Sequence, residues 1–246
     1  MALNVFCTCL KNDSLQFSKP RTWVEKYDVF EDLLSNVEYK KINGINQIEF
    51  CSVEPLTQNY YAQCWNIGSE CEGMWKSHTG GLDNGIMIKM KLENLIKLIV
   101  DSFYDEIKEV DNIKFIKMQY ENTKNIINFA NIYLRNVFEE GKNVEEYVDF
   151  FKFKRSEFSY EKEYRFLVYL TKNKNVIDKY KYIHNFKEYI DEVVFSPMFD
   201  NCQYEFYKKK LIEDYDINEN KISKSTMFDL DFHLKGTNLI KNRDNQ

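Results

Sequence analysis

The sequence predicts an α+β fold with a mostly antiparallel central sheet flanked by amphipathic helices. Three observations lead to this fold class: short segments alternate between apolar and polar residues, longer segments repeat apolar residues at helical spacing, and the two kinds follow each other irregularly. The longest helical patterns predict a helical insert around residues 92–150. We expect one domain over residues 1–235, with the insert centred on 120–150, and a frayed polar tail over 236–246.

The first third of the chain predicts one long helix and several short strands. Residues 1–20 have mixed polarity and predict a loop or a short edge element. A helix that begins near Ser69 would carry Glu72 three positions on, which matches a capping box. The remaining elements follow from apolar spacing and turn residues: a helix over 24–37 and strands over 47–53, 60–67 and 86–90.

The rest of the chain predicts four helices and four strands. Apolar residues three and four apart mark the helices, and alternation marks the strands. The predicted helices cover 92–107, 122–140, 144–153 and 204–215, and the predicted strands cover 113–120, 164–170, 190–195 and 221–225.

Composition excludes several classes of protein. The 246 residues include 43% hydrophobic and 16% aromatic residues, so the chain can bury a large core. No apolar stretch approaches the ~18 residues of a membrane span. A net charge of −5 argues against a surface that coats nucleic acid, although a local basic groove stays open. Six cysteines without a CxxC pair, and no secretion signal, predict reduced thiols in a cytoplasm.

The segment 158–165 carries the densest charge pattern. Read as a strand, its period of two places Glu161, Glu163 and Arg165 on one face, directly before an apolar strand. Charged groups in such a place are costly unless they are paired or used. The alternative is an exposed patch that neutralises itself at the end of a strand.

A second candidate region contains two tryptophans beside a glycine-rich loop. Trp65, Glu70, Trp75 and His78 span fourteen residues, and Gly85 follows seven positions after His78. Aromatic rings beside glycine commonly wall a pocket for a planar ligand, and core packing is the alternative in a chain so rich in aromatics. His78 could be a general base or a phosphate contact, or simply a loop residue.

The order of these motifs resembles a bacterial domain-of-unknown-function family, number 2971. The resemblance runs from about Val24 to Ser225, with Cys71 and His78 as departures from the family pattern. The matching blocks are Cys64-Trp65, Glu70, Met74-Trp75, Gly85-Ile86-x-Ile88, Lys154-Arg155, Phe158-x-Tyr160-Glu161-Lys162-Glu163-x-Arg165 and Val194-x-Ser196-Pro197. The resemblance implies a soluble bacterial or phage protein, sometimes found among defence and toxin-like genes, and it implies no established activity.

The leading functional hypothesis is an enzyme of the ADP-ribosyltransferase type that uses NAD. A late strand with Glu-x-Glu suits a carboxylate that holds a ribose hydroxyl and stabilises an oxocarbenium-like transition state, a role for Glu161 or Glu163. Candidate ligand-binding residues are Trp65 or Trp75 for stacking, Arg21 or Arg165 for the pyrophosphate, and Glu70, His78, Lys154, Arg155 and Tyr160 from the same motifs.

Two alternatives stay open. In a metal-dependent nuclease, Glu70, Glu161 and Glu163 would ligate a hard cation. In a non-enzymatic sensor, inhibitor or antitoxin-like module, a pocket would bind a small nucleotide or a protein partner, and the charges around Glu163 would form a buried ion-pair network that fixes the fold.

Overall fold

The fold is α+β, and its largest sheet is mostly antiparallel, which confirms the predicted fold class. The computed structural model describes residues 1–20, 39–42, 48–51, 60–79, 83–103, 110–140, 151–170 and 180–229. Arg21, the predicted helix over 24–37, most of the predicted helix over 144–153 and the tail 236–246 lie outside the described residues.

The chain groups into two compact units, each assembled from separate segments. The first contains residues 1–14, 69–99 and 184–246, and the second contains residues 15–68 and 100–183. The two units therefore interleave along the sequence: Trp65 and the motif 154–165 belong to the second unit, and Trp75 and Gly85 belong to the first.

The first unit contains a three-stranded sheet and several helices. Strand β11 (Glu192–Phe195) lies in its centre, antiparallel to β5 (Ile86–Lys89) and parallel to β12 (Ile222–Lys224). The helices are α1 (Leu3–Asn12), α2 (Glu72–Thr79), α3 (Leu92–Phe103), of which the last turn belongs to the second unit, α5 (Phe186–Tyr189) and α6 (Asn201–Tyr215).

The second unit is organised around a five-stranded sheet formed by β1 (Ser14–Ser18), β4 (Tyr60–Asn66), β6 (Val110–Lys117), β9 (Glu163–Leu170) and β10 (Tyr180–His184). The strands lie in the order β10-β1-β4-β9-β6, and only the terminal residues Ser14 and His184 fall in the first unit. Two small sheets join β2 (Tyr39–Ile42) to β3 (Ile48–Cys51) and β7 (Gln119–Glu121) to β8 (Phe153–Arg155), and helix α4 (Thr123–Glu140) precedes β8.

Both faces of the central strand pair are apolar over most of their length. Strand β9 pairs with β4 on one side and β6 on the other, with Leu167 opposite Ala62 and Val168 opposite Tyr61. All four of these residues are buried. A strand with two buried faces reads as a continuous apolar run, which explains why residues 164–170 were predictable.

Three sequence predictions are wrong in detail. Residues 3–12 form helix α1, whose buried Leu3, Phe6 and Leu10 follow helical spacing over a segment too short to stand out. Helix α2 begins at Glu72 and not near Ser69, so the predicted capping box does not exist. Residues Ser156–Glu161 form a 3₁₀ helix, and strand β9 begins only at Glu163.

Candidate functional site

A cluster of four charged side chains lies at the start of β9 in the second unit. Lys154 comes from β8, Glu161 from the end of the 3₁₀ helix, and Glu163 and Arg165 from β9. Between the two glutamates, Lys162 adopts a left-handed backbone with φ of 44°. This turn brings Glu161 to the same lysine that Glu163 contacts, although Glu161 does not belong to the strand.

The four side chains form a continuous chain of ion pairs. The Lys154 ammonium donates to Glu161 and, at 3.0 Å, to Oε2 of Glu163. The other oxygen of Glu163 accepts from Nε of Arg165 at 2.5 Å. Arg165 Nη1 also donates to the carbonyl oxygen of Phe151 at 3.2 Å. Glu163 is therefore the link between the two cations.

The cluster is buried, and its formal charges cancel. The exposed fractions are 4% for Lys154, 2% for Glu161, 5% for Glu163 and 1% for Arg165. Two carboxylates face two cations, so the interior carries no net formal charge here. A buried charge without a partner would cost several kcal/mol, and mutual pairing is the usual solution.

The pKa values of the two glutamates shift in opposite directions. Burial alone raises the pKa of Glu163, but the charges of Arg165 and Lys154 outweigh it and hold that pKa well below its usual value. Burial raises the pKa of Glu161, and the Lys154 ammonium offsets this only in part. Burial lowers the pKa of Lys154, yet both glutamates together raise it above its ordinary value. Glu163 is thus held ionised more firmly than Glu161.

Neighbouring groups hold the backbone of the two glutamates. The backbone N–H of Glu163 donates to the Tyr120 hydroxyl at 2.7 Å, and its carbonyl accepts from the Met118 N–H at 3.0 Å. The Asn66 amide donates to the carbonyl of Glu161. Sequence reasoning missed Tyr120 and Asn66, and no spacing pattern marks them, because they reach the cluster only through strand pairing.

One aromatic residue before the glutamates, Phe158, lies against two cations. The Phe158 ring lies 5.0 Å from the Lys154 ammonium and 5.0 Å from the Arg155 guanidinium. Tyr160 is 37% exposed, and its ring centroid lies 6.5 Å from that of Phe158. The motif from Lys154 to Arg165 therefore folds into one compact structure, with Tyr160 at its surface.

Trp65 lies on the other face of the sheet. In the β4–β9 pair, Cys64 is opposite Arg165, Trp65 is opposite Tyr164, and Asn66 is opposite Glu163. Successive residues of a strand point to opposite faces. Trp65 is therefore on the face opposite to the ion pairs, and the structure does not bring its indole together with Glu163.

The other sequence-predicted residues of the tryptophan region belong to the first unit. Trp75 is 4% exposed, and its indole N–H donates to Oε2 of Glu70 at 3.0 Å. A Cβ on Gly85 would lie 2.9 Å from Cε3 of Trp75 and 2.7 Å from Cγ2 of Thr79, so only glycine allows this approach. His78 is exposed in the last turn of α2. The packing of Trp75 against Gly85 accounts for both motif residues without a ligand.

The described part of the chain contains no cluster of side chains suited to hold a metal ion. No group of three or more His, Cys, Asp or Glu side chains there is arranged to hold an ion.

Among the described helices, none is both long and apolar enough to cross a membrane.

The comparison with known families agrees with the motifs. Residues 74–166 match DUF2971, a family described as a protein of unknown function. This match confirms the family resemblance within residues 74–166, and the blocks at 64–65, 70 and 194–197 lie outside the matched range. It includes Trp75, Gly85 and all four residues of the ion-pair cluster. No curated protein and no solved structure matches the chain.

Proposed function

We propose that this DUF2971-like chain is a non-enzymatic binding module, in which the Glu-x-Glu motif stabilises the fold. The observation that supports this most directly is the mutual pairing of Lys154, Glu161, Glu163 and Arg165 at exposed fractions of 1–5%. A catalytic carboxylate must reach its substrate within hydrogen-bond distance. Here the carboxylates reach the chain's own cations instead.

The ADP-ribosyltransferase function stays a prediction that this geometry does not favour. It requires Glu161 or Glu163 to approach the ribose of NAD, and an aromatic ring to stack on the nicotinamide nearby. Both carboxylates are buried, and Trp65 lies on the opposite face of the sheet from Glu163. The nuclease alternative is supported by no acidic cluster within the described residues.

The module would recognise a small nucleotide or a protein partner and report or block it without turnover. Such a sensor or inhibitor role fits the defence context that the family resemblance implies. Cys7, Cys9, Cys64 and Cys202 carry free thiols, which suits a reducing cytoplasm.

A turnover assay with matched variants tests this proposal. The purified chain is incubated with nicotinamide-labelled NAD and cell extract, and separately with DNA and RNA plus Mg²⁺ or Mn²⁺. We expect no release of nicotinamide and no digestion. We also expect Glu161→Gln and Glu163→Gln to lower the melting temperature. Nicotinamide release that disappears in a folded Glu163→Gln variant, while Glu213→Gln keeps it, would contradict a structural role.

A further inference from the structure

We propose that a mononucleotide binds by stacking its base on an aromatic platform at one end of the five-stranded sheet. The platform consists of Trp65 on β4, Tyr164 on β9 and Phe115 on β6, with Lys117 beside them. This inference rests on the proposed binding function and gives it a place and a class of ligand.

Strand register places the platform residues on one face. Trp65, Tyr164 and Lys117 form one row across three neighbouring strands, since Tyr164 is opposite both other residues. In the next row, Phe166 is opposite Phe115 on β6. Residues two apart on a strand share a face, so both rows lie on the face opposite to the buried ion pairs.

The rings of this face are already stacked on one another. The Phe115 ring lies 5.0 Å from the Tyr164 ring at an interplanar angle of 21°, and 4.4 Å from the Phe166 ring at 29°. Phe166 is buried, whereas Phe115 is 37% exposed and Tyr164 and Trp65 are half-buried. Phe115 contacts both other rings and is the most exposed of the three, so this face of the sheet is partly open to solvent, where a planar base can pack against the rings.

The Trp65 indole is held in place before any ligand arrives. Its Nε1–H donates to Oε1 of Gln63 at 2.9 Å, and Gln63 in turn donates from Nε2 to the carbonyl of Gln16 on β1 at 3.3 Å. Gln63 lies two residues before Trp65 and so shares its face. A ring fixed in this way loses little conformational freedom on binding, which favours affinity.

The charges at the platform suit a single nucleotide better than a nucleic-acid strand. Lys117 is exposed in the same row as Trp65 and Tyr164, so its ammonium can contact a phosphate. Strand binding needs a basic groove that follows many phosphates, and the chain carries a net charge of −5. We therefore assign the platform to a mononucleotide.

Calorimetric titration of the full chain tests the assignment with four probes: AMP, UMP, adenosine and ribose 5-phosphate. We expect AMP to bind more tightly than UMP, because a larger base stacks over more area, and ribose 5-phosphate not to bind. Adenosine is expected to bind more weakly than AMP. Phe115→Ala is expected to weaken AMP binding about tenfold, in the range measured for single stacking contacts, and Phe115→Tyr to restore it.

Phe206→Ala is the matched control, because Phe206 is an aromatic residue of the first unit with 63% exposure. It should bind AMP like the unchanged chain, and circular dichroism establishes that each variant is folded. Three results would overturn the assignment: no AMP binding at millimolar concentration, equal affinity in folded Phe115→Ala, or affinity for oligo-dT that rises steadily with length. None of these three results involves catalytic turnover. They would therefore refute the nucleotide site without refuting the proposal that the chain is not an enzyme.

Discussion

Removing the negative charge of Glu163 is the most direct test of the buried cluster. Glu163→Gln keeps the size of the side chain and one carbonyl oxygen, but it leaves Lys154 and Arg165 with only one carboxylate between them. The result is an excess positive charge among side chains that are at most 5% exposed.

The magnitude follows from the geometry. Glu163 lies 3.0 Å from the Lys154 ammonium, where two unit charges attract by about 5 kcal/mol at an effective dielectric constant of about 20. Breaking a buried pair by removing one partner typically costs about 3–5 kcal/mol. We therefore expect Glu163→Gln to lower the free energy of unfolding by about 3–5 kcal/mol. For a chain of this size that corresponds to a melting temperature about 6–20 °C lower.

Chemical denaturation monitored by circular dichroism measures this loss, and an exposed pair provides the control. Glu213 lies 3.7 Å from Lys209, and their side chains are 61% and 73% exposed. Glu213→Gln should change the free energy of unfolding by no more than about 0.5 kcal/mol.

A double variant separates the charge effect from simple loss of packing. Lys154→Met combined with Glu163→Gln leaves Arg165 and Glu161 as one positive and one negative group. The combined loss should therefore be smaller than the sum of the two single losses, by about 1–3 kcal/mol. Additive losses, or a Glu163→Gln variant within 1 kcal/mol of the unchanged chain, would refute the view that a continuous chain of ion pairs stabilises this region.

Three further predictions concern pH, core packing and a hydrogen bond at the start of a helix. Because the pKa of Glu163 is lower in the folded chain, its contribution to stability is fully present above the ordinary glutamate pKa of about 4.3 and falls with acidification. Urea titrations from pH 6 to pH 3 should therefore show a smaller loss of stability in Glu163→Gln than in the unchanged chain. An equal dependence of stability on pH in the two chains would contradict the pKa shift. Gly85→Ala should cost about 1–3 kcal/mol, because its methyl group would lie 2.7 Å from Cγ2 of Thr79; Thr79→Ser in the same chain should recover part of this loss, and no recovery would place the clash elsewhere. Asp191→Ala should cost about 1 kcal/mol in thermal denaturation, because the Asp191 carboxylate accepts the Lys91 N–H at 2.6 Å at the start of α3; Asp191→Asn, which keeps the acceptor, should be nearly neutral.

Sequence patterns were sufficient to predict those helices and strands whose own residues carry a strong apolar pattern. Helix α3 and strand β9 were predictable because a long apolar repeat or a doubly buried strand leaves a strong local pattern. Helix α1 was missed because its three buried residues are spread over only ten positions.

The site was predictable in composition but not in arrangement. The charges of Glu161, Glu163 and Arg165 are visible in the sequence, and burial of an ion-pair network was one of the alternatives. The separation of Trp65 from Glu163 depends on strand register, which pairs Trp65 with Tyr164. The register is set by the whole sheet and leaves no local pattern.

The left-handed turn at Lys162 has a consequence for how this region opens. Because Lys154 is bonded to carboxylates on both sides of that turn, the 3₁₀ helix cannot detach from β9 without separating at least one ion pair. The backbone amides of both segments should then exchange with deuterium in a single cooperative event. Asn66 also holds the carbonyl of Glu161 from β4, so the same event should include the end of that strand. The end of β4, which is distant in sequence, should thus open together with the two adjoining segments 156–161 and 163–170.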